Sequence, residues 1–377
     1  MGWIKRIAIA WVCLCLMVLA TACSNSQFEE TSTDDISIQS TTRVPTFTFT
    51  SSPSPSPTRT NTPIPTGEPY TTLLFTGVIV PARCVQAGID ERGDPHYLYD
   101  NVRDIIIQAD IAVGTLNATI SDATRHEGCV NSWELVGGAE NADALRKAGF
   151  DVMGVATNHI KDCGWPPCGD MAFLDTLDNL RRVNIITVGA GSNLQEAMQP
   201  VVVEVNGIRF GFISLGEVAT HERIFADGDT PGIAMLTEEN LRKAIEAARE
   251  VSDVVIVMPH SGPEDFIEPS STQRKWARVS VDAGADLVVM NHAHVVQAYR
   301  EINGVLVFFG LGNFVFDQVA RDHQQGVILK VTFRGTTLVE FELIPTVVDR
   351  DGTVHIADEE EAAEIIDRIL EANAKLE

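Results

Sequence analysis

The chain has 377 residues, a formal net charge of −24 at pH 7 and a pI near 4.7. An acidic balance of this size argues against nucleic acid as a partner and against electrostatic binding to anionic lipid. Hydrophobic residues make up 45% of the chain, which is enough for a sizeable buried core, and the length beyond the N-terminal region suits one large domain.

Residues 1–23 are predicted to be a secretory signal peptide. Lys5 and Arg6 precede an apolar run that ends at Ala20, and this run is short for a membrane-spanning helix. Small residues then lead into Cys23 in a pattern that resembles a bacterial lipobox, so Cys23 is a predicted lipidation site. The alternative is an uncleaved anchor helix. Under both interpretations the rest of the chain is extracytoplasmic and attached to the membrane of a bacterial cell envelope.

Residues 24–69 are predicted to form an extended linker. Ser, Thr and Pro dominate this segment, and no hydrophobic period runs through it. Such a composition cannot bury enough apolar surface to fold, and the prolines favour an extended chain. We therefore expect the linker to hold a folded domain, residues 70–348, away from the membrane. Residues 349–377 are predicted to be an acidic C-terminal helix.

The cysteine pattern agrees with export. Three of the seven cysteines lie within residues 1–23, and the other four are Cys84, Cys129, Cys163 and Cys168. An even number of cysteines in an exported domain indicates two disulfides. The close pair Cys163–Cys168 predicts a local bridge, which leaves Cys84–Cys129 as the second. A structural metal site is the alternative, although the spacings do not suit one.

The hydrophobic pattern of the folded region alternates between strands and helices, which is typical of an α/β fold. The first half predicts strands over 71–80, 110–114, 150–156 and 184–188, and helices over 98–108, 141–148 and 171–182. The second half predicts a hairpin of 201–205 with 209–215, strands over 253–258, 286–290 and 305–309, helices over 237–250 and 271–283, an antiparallel pair of 327–333 with 337–344, and a helix over 357–376. In the loop after the hairpin we interpret Glu217, His221 and Glu222 as solvated side chains.

Imidazole and amide side chains follow three of the buried strands. His260 follows the first, Asn291, His292 and His294 follow the second, and Asn313 follows the third. In an open α/β sheet, ligands bind at the carboxyl ends of the strands. His292 and His294 flank one residue, and alternate side chains of an extended segment share a face. We therefore expect these imidazoles to reach one metal centre or two adjacent ones.

A series of short motifs runs through this region in a fixed order. They are His260-Ser261-Gly262-Pro263-Glu264, Pro269, Gln273, Asp282-Ala283-Gly284-Ala285-Asp286, His292-Ala293-His294-Val295-Val296-Gln297 and Gly310-Leu311-Gly312-Asn313-Phe314-Val315-Phe316-Asp317. Together they resemble the CapA-type capsule-synthesis family, which has a calcineurin-like metallophosphoesterase fold. The resemblance implies a metallophosphatase-like α/β/β/α sandwich with a C-terminal antiparallel strand pair and helix.

The same resemblance implies roles for the polar residues. The segment Asn158-His159-Ile160-Lys161-Asp162 matches the family's Asn-His motif, in which the histidine faces the substrate as a proton donor or oxyanion partner. The implied catalytic residues are His159 and Asp162, the implied metal ligands are Asn117, Asn158, His260, His292 and His294, and the implied substrate-binding residues are Glu264 and Asn313. The alternative for Asn158 and His159 is a turn that caps a helix.

Two positions depart from the family pattern. Val78 stands where the family has an aspartate ligand, and Asn117 stands where it has a glutamate. A valine coordinates nothing, and an asparagine offers a neutral oxygen, whereas hard divalent cations are held chiefly by anionic oxygens. We therefore expect at most one divalent ion, with zinc or manganese as candidates, or no ion.

Three functions fit these observations. The first is a membrane-tethered CapA-like protein in the synthesis, export or anchoring of an anionic capsular polymer such as poly-γ-glutamate, with that polymer and membrane-bound synthesis or export proteins as partners. The second is an extracytoplasmic metal-dependent hydrolase of phosphoester or γ-glutamyl amide bonds. The third is a metal-free polymer-binding protein. Val78 and Asn117 favour the first and third over two-metal catalysis, and the retained histidines argue against complete loss of the site.

Overall fold

The computed structural model describes residues 68–163, 168–220 and 223–376. The predicted signal peptide, Cys23 and all but the last two residues of the predicted linker lie outside the described residues, as do His221 and Glu222. Within the described ranges, no helix combines the length and the apolar character that crossing a bilayer requires.

Short strands and helices alternate along the described chain. The strands are β1 (Tyr70–Ile79), β2 (Ile111–Leu116), β3 (Thr119–Ile120), β4 (Val136–Gly137), β5 (Val152–Gly154), β6 (Ile186–Val188), β7 (Ala190–Gly191), β8 (Val201–Val205), β9 (Ile208–Gly216), β10 (Gly232–Ile233), β11 (Val254–His260), β12 (Leu287–Val289), β13 (Tyr299–Ile302), β14 (Val305–Phe308), β15 (Asn313–Val315), β16 (Gln325–Arg334), β17 (Thr337–Val348) and β18 (Val354–Ile356). The α-helices are α1 (Cys84–Arg92), α2 (Arg103–Ile106), α3 (Glu140–Ala148), α4 (Met171–Arg182), α5 (Leu194–Met198), α6 (Glu238–Val251), α7 (Ser271–Ala283) and α8 (Glu359–Ala374).

Two large mixed sheets organise these elements. The first has the strand order β18-β17-β16-β1-β2-β5-β6, with β15 also paired to β1, and the second has the order β13-β14-β12-β11-β9-β8. Strands β1, β2, β5 and β6 run parallel to one another, and so do β9, β11, β12 and β14. The carboxyl ends of the parallel strands therefore meet at one edge of each sheet, where ligands bind in such folds.

The side chains show that the two sheets pack face to face. Leu73 and Phe75 of β1 and Ile256 of β11 belong to one apolar cluster between the sheets. Leu74 points the other way, into a cluster with helices α1, α3 and α4, and Val257 points into a cluster with α6 and α7. Because successive residues of a strand face opposite sides, each buried strand supplies two cores. The predicted α/β/β/α sandwich is confirmed.

The helix ends follow local sequence signals. Helix α7 begins with a capping box in which Ser270 accepts the N–H of Gln273, and it ends at Gly284 with φ 108°. Thr237 caps α6 in the same way, by accepting the N–H of Asn240. Both helices match the sequence prediction because a side-chain cap fixes the start of each, and a left-handed glycine fixes the end of α7.

The region beyond Val348 contributes a strand to the first sheet and apolar side chains to the core between the sheets. Besides the predicted C-terminal helix, it contains strand β18, which pairs with β17 and extends the first sheet. Helix α8 buries Ile365 and Ile369 in the cluster between the sheets. Helix α8 is therefore amphipathic, with its apolar side buried and its acidic side facing outward.

The helix predicted over 98–108 is wrong. The structure has a 3₁₀ turn at His96–Tyr99 and the one-turn helix α2, separated by residues 100–102. Asn101 donates from its side chain to the carbonyl of Val354, and Tyr97 donates from its hydroxyl to the carbonyl of Asp351. These tertiary bonds hold the chain in a broken path that the hydrophobic pattern does not reveal, since Asn side chains readily compete with helical hydrogen bonds.

The four cysteines of the domain are paired as predicted. Cys84 is bonded to Cys129 and Cys163 to Cys168. The four residues between Cys163 and Cys168 lie outside the described ranges. The longer link joins the start of α1 to the loop before β4, and so fastens two segments near the carboxyl end of β1.

Candidate functional site

The polar residues predicted from the strand ends meet between the two sheets. Asn158, His260, His292 and His294 are each less than 8% exposed. Asn291 also bridges the sheets directly, because its side-chain nitrogen lies 2.9 Å from Oγ1 of Thr115 on β2. The structure therefore brings these residues together as the strand-end rule predicts, although the two sets of ends belong to different sheets.

Asn158, His260 and His292 form one chain of contacts. Nε2 of His260 lies 2.9 Å from Oδ1 of Asn158 and 3.1 Å from Nδ1 of His292. The two imidazole rings stand nearly edge to face, with centroids 4.7 Å apart. This is the set that the family resemblance implies for one metal ion.

His294 is held through its Nδ1 atom. Nδ1 of His294 lies 2.7 Å from Oδ1 of Asn313, and the side-chain nitrogen of Asn313 donates to the carbonyls of His294 and His323. Two carbonyl acceptors fix the orientation of the Asn313 amide, so its oxygen must accept a proton from Nδ1. The neutral ring therefore carries its free lone pair on Nε2. Asn313 therefore orients a histidine, and its predicted role in substrate binding stays a prediction.

Glu264 brings a carboxylate to the other side of His292. Oε1 of Glu264 lies 3.8 Å from Nε2 of His292. One ligand atom each from Glu264, His292 and His294 lies within 4.8 Å of the other two. Sequence reasoning assigned Glu264 to substrate binding, and the structure places it among the groups that could hold an ion.

His292 and His294 converge for a different reason from the one predicted. The residues do not lie on an extended segment, since His292 has φ 121° and His294 has φ 60°. Positive φ values are uncommon for residues with a side chain and cluster at functional sites. The shared-face argument was therefore wrong for this loop, and the turn itself directs both rings inward.

Burial keeps the imidazoles neutral. Burial, with a smaller effect from His294 and His159, lowers the pKa of His292 to about 3. Burial likewise lowers the pKa of His294 to about 4, and it lowers that of His260 well below its ordinary value. Burial also raises the pKa of the Glu264 carboxyl. Neutral rings with free lone pairs are the form in which histidine binds a metal.

His159 and Asp162 form a buried pair beside this cluster. Nδ1 of His159 lies 2.7 Å from Oδ2 of Asp162, and the same oxygen accepts the N–H of Leu135 at 2.7 Å. The carboxylate therefore holds the proton of His159 on Nδ1 and leaves Nε2 for a substrate. This arrangement supports the predicted catalytic role of both residues, which stays a prediction.

The two departures from the family pattern both lie at strand ends. Val78 is fully buried and pairs in register with Asn313 on one side and Thr115 on the other. Asn117 is also buried, and its side-chain oxygen accepts the N–H of His159 at 3.0 Å. The oxygen of Asn117 is therefore engaged by the protein.

Glu217 is not a solvated loop residue, and that interpretation was wrong. Its Oε1 accepts from the Ser261 hydroxyl at 2.5 Å and from the Gly262 N–H at 3.1 Å, and its Oε2 accepts from the indole N–H of Trp276 at 2.8 Å. The carboxylate therefore joins the loop after His260 to helix α7. No local sequence signal marks this role, because the partners are 44 to 59 residues away.

Both donor sets have the chemistry of a metal site. Imidazole nitrogens with a carboxylate or an amide oxygen suit zinc, and they suit it better than the oxygen-rich sites preferred by magnesium. One set is Asn158, His260 and His292, and the other is Glu264, His292 and His294. His292 belongs to both, since its two ring nitrogens face opposite ways.

The fold and the strand-end cluster define the chain as a protein of the metallophosphatase-like α/β/β/α class. The sequence profile of the family described as "Bacterial capsule synthesis protein PGA_cap" matches residues 72–318. The chain belongs to this family of bacterial capsule synthesis proteins, which confirms the resemblance seen in the motifs.

Two relatives and two solved structures show the range of similarity. The chain is 28% identical to the PGA biosynthesis protein CapA of Bacillus subtilis (strain 168), over 72% of this chain and 70% of that protein. It is 28% identical to the capsule biosynthesis protein CapA of Bacillus anthracis, over 73% and 66%. A hypothetical protein from Thermus thermophilus is 17% identical, with a TM-score of 0.45, over 73% of this chain and 98% of that chain. A phosphatase from Mycoplasma pneumoniae is 14% identical, with a TM-score of 0.46, over 74% and 94%. The structural similarities are too low to carry a functional assignment.

Proposed function

We propose that the protein is a membrane-tethered, extracytoplasmic member of the capsule synthesis family that acts in the synthesis, export or anchoring of an anionic capsular polymer such as poly-γ-glutamate. In this proposal its strand-end site holds at most one divalent ion. The family match over residues 72–318 supports the polymer role. The predicted signal peptide and Cys23 supply the tether, and membrane-bound synthesis or export proteins are the expected partners.

The environment of Val78 and Asn117 supports a site that holds one ion and not two. A two-metal centre needs anionic oxygens to bridge and balance two dications held ~3.5–4 Å apart. Val78 offers no ligand atom, and the oxygen of Asn117 already accepts the N–H of His159. The remaining histidines suffice for one ion, because structural and catalytic zinc sites need only three or four ligands.

The protein's own residues would handle a substrate as follows. An ion, when bound, would act as a Lewis acid on a carbonyl or phosphoryl oxygen. His159 would donate or accept a proton at Nε2, since Asp162 fixes the other ring nitrogen as a donor. Leu135 keeps the Asp162 carboxylate aimed at the ring through its backbone N–H.

The test of the polymer role is a deletion of the gene in the native host, followed by extraction of the surface polymer. We expect a loss of surface polymer that the wild-type gene restores and a Cys23→Ser gene restores poorly. Unchanged polymer yield, length and attachment in the deletion strain would overturn the proposed role. Full restoration by Cys23→Ser would overturn the lipid tether alone.

The retained pair of His159 and Asp162 favours a second candidate, a one-metal hydrolase of γ-glutamyl amide or phosphoester bonds. This candidate predicts that the purified protein with zinc or manganese shortens γ-linked glutamate chains, and that His159→Ala abolishes the shortening. A wild-type protein that binds the polymer without cleaving it, with or without metal, would favour a binding role instead.

A further inference from the structure

We propose that the ion of this chain is a zinc ion bound by Glu264, His292 and His294, and not by the set of Asn158, His260 and His292 that the family pattern implies. This inference deepens the proposed function and rests on it for the presence of a single ion at the strand-end site. A carboxylate from a loop would here supply the negative charge that Val78 and Asn117 do not.

The first argument is charge. The set of Asn158, His260 and His292 offers two neutral rings and one neutral amide, whereas Glu264 adds an anionic oxygen 3.8 Å from Nε2 of His292. A dication buried among neutral groups has no compensating charge nearby, and burial of an uncompensated charge is costly. Two histidines and one glutamate form the ligand set of hydrolytic zinc sites, which leave further positions open to substrate.

The second argument is the state of the second ring nitrogen in His294 and in His260. A histidine that binds a metal through one nitrogen almost always donates from the other nitrogen to an acceptor. His294 does so, since Nδ1 faces Oδ1 of Asn313 at 2.7 Å.

His260 lacks such a partner. Its Nδ1 atom is buried and has no hydrogen-bond partner among the described residues. Metal binding through Nε2 would place a proton on that nitrogen with nothing to accept it, and an unsatisfied buried donor costs roughly 1–3 kcal/mol. The geometry therefore favours His294, whose second nitrogen has an acceptor, over His260 as a ligand of the ion.

The third argument is that the Glu264 loop is fastened to the histidine loop. The N–H of Asp265 donates to the carbonyl of Ala293, the residue between the two histidines, at 2.9 Å. The side chain of Gln297 donates to the carbonyl of Phe266 at 2.7 Å. At the other end, Glu217 accepts the N–H of Gly262. A ligand held on both sides loses little conformational freedom on binding.

The test compares zinc binding by purified full-length protein and four variants, with elemental analysis for stoichiometry and a competing chromophoric chelator for affinity. Glu264→Gln and His294→Gln remove proposed ligands, and Asn158→Ala removes a ligand of the alternative set. Asp265→Asn is the matched control, because it removes a neighbouring carboxylate that is 66% exposed and lies 2.9 Å from Nε2 of His323.

We expect about one zinc ion per wild-type chain and an affinity loss of at least ~100-fold in Glu264→Gln and His294→Gln. Asn158→Ala and Asp265→Asn should change the affinity by less than ~3-fold. A strong loss in Asn158→Ala with wild-type affinity in Glu264→Gln would overturn the assignment, as would a wild-type protein that binds no zinc.

A variant that gains a spectroscopic signal gives a test in which poor folding cannot be mistaken for the expected result. In Glu264→Cys, a thiolate at position 264 should give the cobalt-substituted protein an intense sulfur-to-cobalt charge-transfer band that the wild type lacks. Absence of the band in a protein that binds cobalt would exclude residue 264 from the coordination sphere. The polymer assay is independent of both tests, since a failed ligand assignment leaves the capsule role intact and a protein without that role can still bind zinc at Glu264.

Discussion

The side-chain oxygen of Asn117 lies 3.0 Å from the backbone nitrogen of His159 and accepts its N–H. Both residues are buried, and Asn117 occupies the position where the family pattern has an acidic metal ligand. In this chain the position serves to hold the Asn158-His159 turn in place. It thereby couples the end of β2 to the hydrogen-bonded pair of His159 and Asp162.

Asn117→Ala should therefore act on stability more than on metal binding. Removal of the acceptor leaves the N–H of His159 buried and unpaired, so we expect the free energy of unfolding to fall by about 1–3 kcal/mol. Zinc affinity should change by less than ~3-fold, because the oxygen is engaged by the backbone. Urea denaturation and zinc titration of the same preparation check both numbers. A loss of affinity as large as that in His294→Gln would show that Asn117 is a ligand.

Glu217→Ala should destabilise the protein although the Glu217 side chain bonds to no side chain of either donor set. The change removes the acceptor for Ser261, Gly262 and the indole N–H of Trp276, so we expect a loss of about 2–4 kcal/mol in the free energy of unfolding. The loop that carries Glu264 also loses its anchor, so zinc affinity should fall as well.

The control for Glu217 is Glu268→Ala. Glu268 pairs with Lys375 at 2.9 Å, and both side chains are more than half exposed. Exposed ion pairs contribute at most ~1 kcal/mol, so this variant should be close to wild type by urea denaturation. Equal stability of the two variants would mean that the three hydrogen bonds of the Glu217 side chain add little to the free energy of unfolding.

Much of the site could be predicted because parallel strands bring their carboxyl ends together. His260, His292 and His294 follow buried apolar runs, and the order of those runs places their ends in one region of the sandwich. The residue types then define a metal-binding chemistry without any knowledge of tertiary contacts. Helix α7 was equally predictable, since its capping box and terminal glycine lie within the helix sequence itself.

The contacts of Glu217 and Glu264 could not be predicted, because they join distant loops. Glu217 bonds to Trp276 across 59 positions, and Glu264 lies near His292 through a turn held by Asp265 and Ala293. The inward turn of the His292 loop was missed for a related reason. Positive φ values at residues other than glycine are imposed by the surrounding structure and leave no pattern in the sequence.

The stability of the metal-free protein should fall as the pH is lowered from about 6.5 to about 4. Burial lowers the pKa of His294 to about 4 and that of His292 to about 3, whereas the unfolded chain has ordinary values near 6.5. Below pH 6.5 the unfolded state therefore binds protons that the folded state excludes. Each ring contributes a slope of up to ~1.4 kcal/mol per pH unit, with full stability above this window.

Urea denaturation in the presence of a chelator, at several pH values between 7.5 and 4.5, measures this slope. A His292→Gln/His294→Gln double variant is the comparison, and its unfolding free energy should depend on pH less steeply by up to ~2.7 kcal/mol per unit. Parallel pH profiles for the two proteins would show that the two rings are not the source of the dependence.

Restoring the two acidic residues should convert the site towards a two-ion centre. Val78 pairs in register with Asn313, which orients His294, and with Thr115, whose hydroxyl accepts from Asn291. In Val78→Asp/Asn117→Glu we expect more than one manganese ion per chain by elemental analysis. Without metal the variant should be several kcal/mol less stable than wild type, because an aspartate at a fully buried position lacks compensation. Manganese should recover most of that loss.

The matched control is Val80→Asp, which places the same carboxylate two residues further along the chain. Val80 is also fully buried, and its N–H donates to the carbonyl of Val315 at 2.7 Å. We expect a comparable loss of stability that manganese does not recover, because the strand neighbour of Val80 is Val315, which belongs to neither donor set. If manganese stabilises neither variant, residues 78 and 117 lie out of reach of the ion, and the absence of carboxylates there does not explain a one-ion site. If manganese stabilises both variants equally, the stabilisation is a general response to an added negative charge.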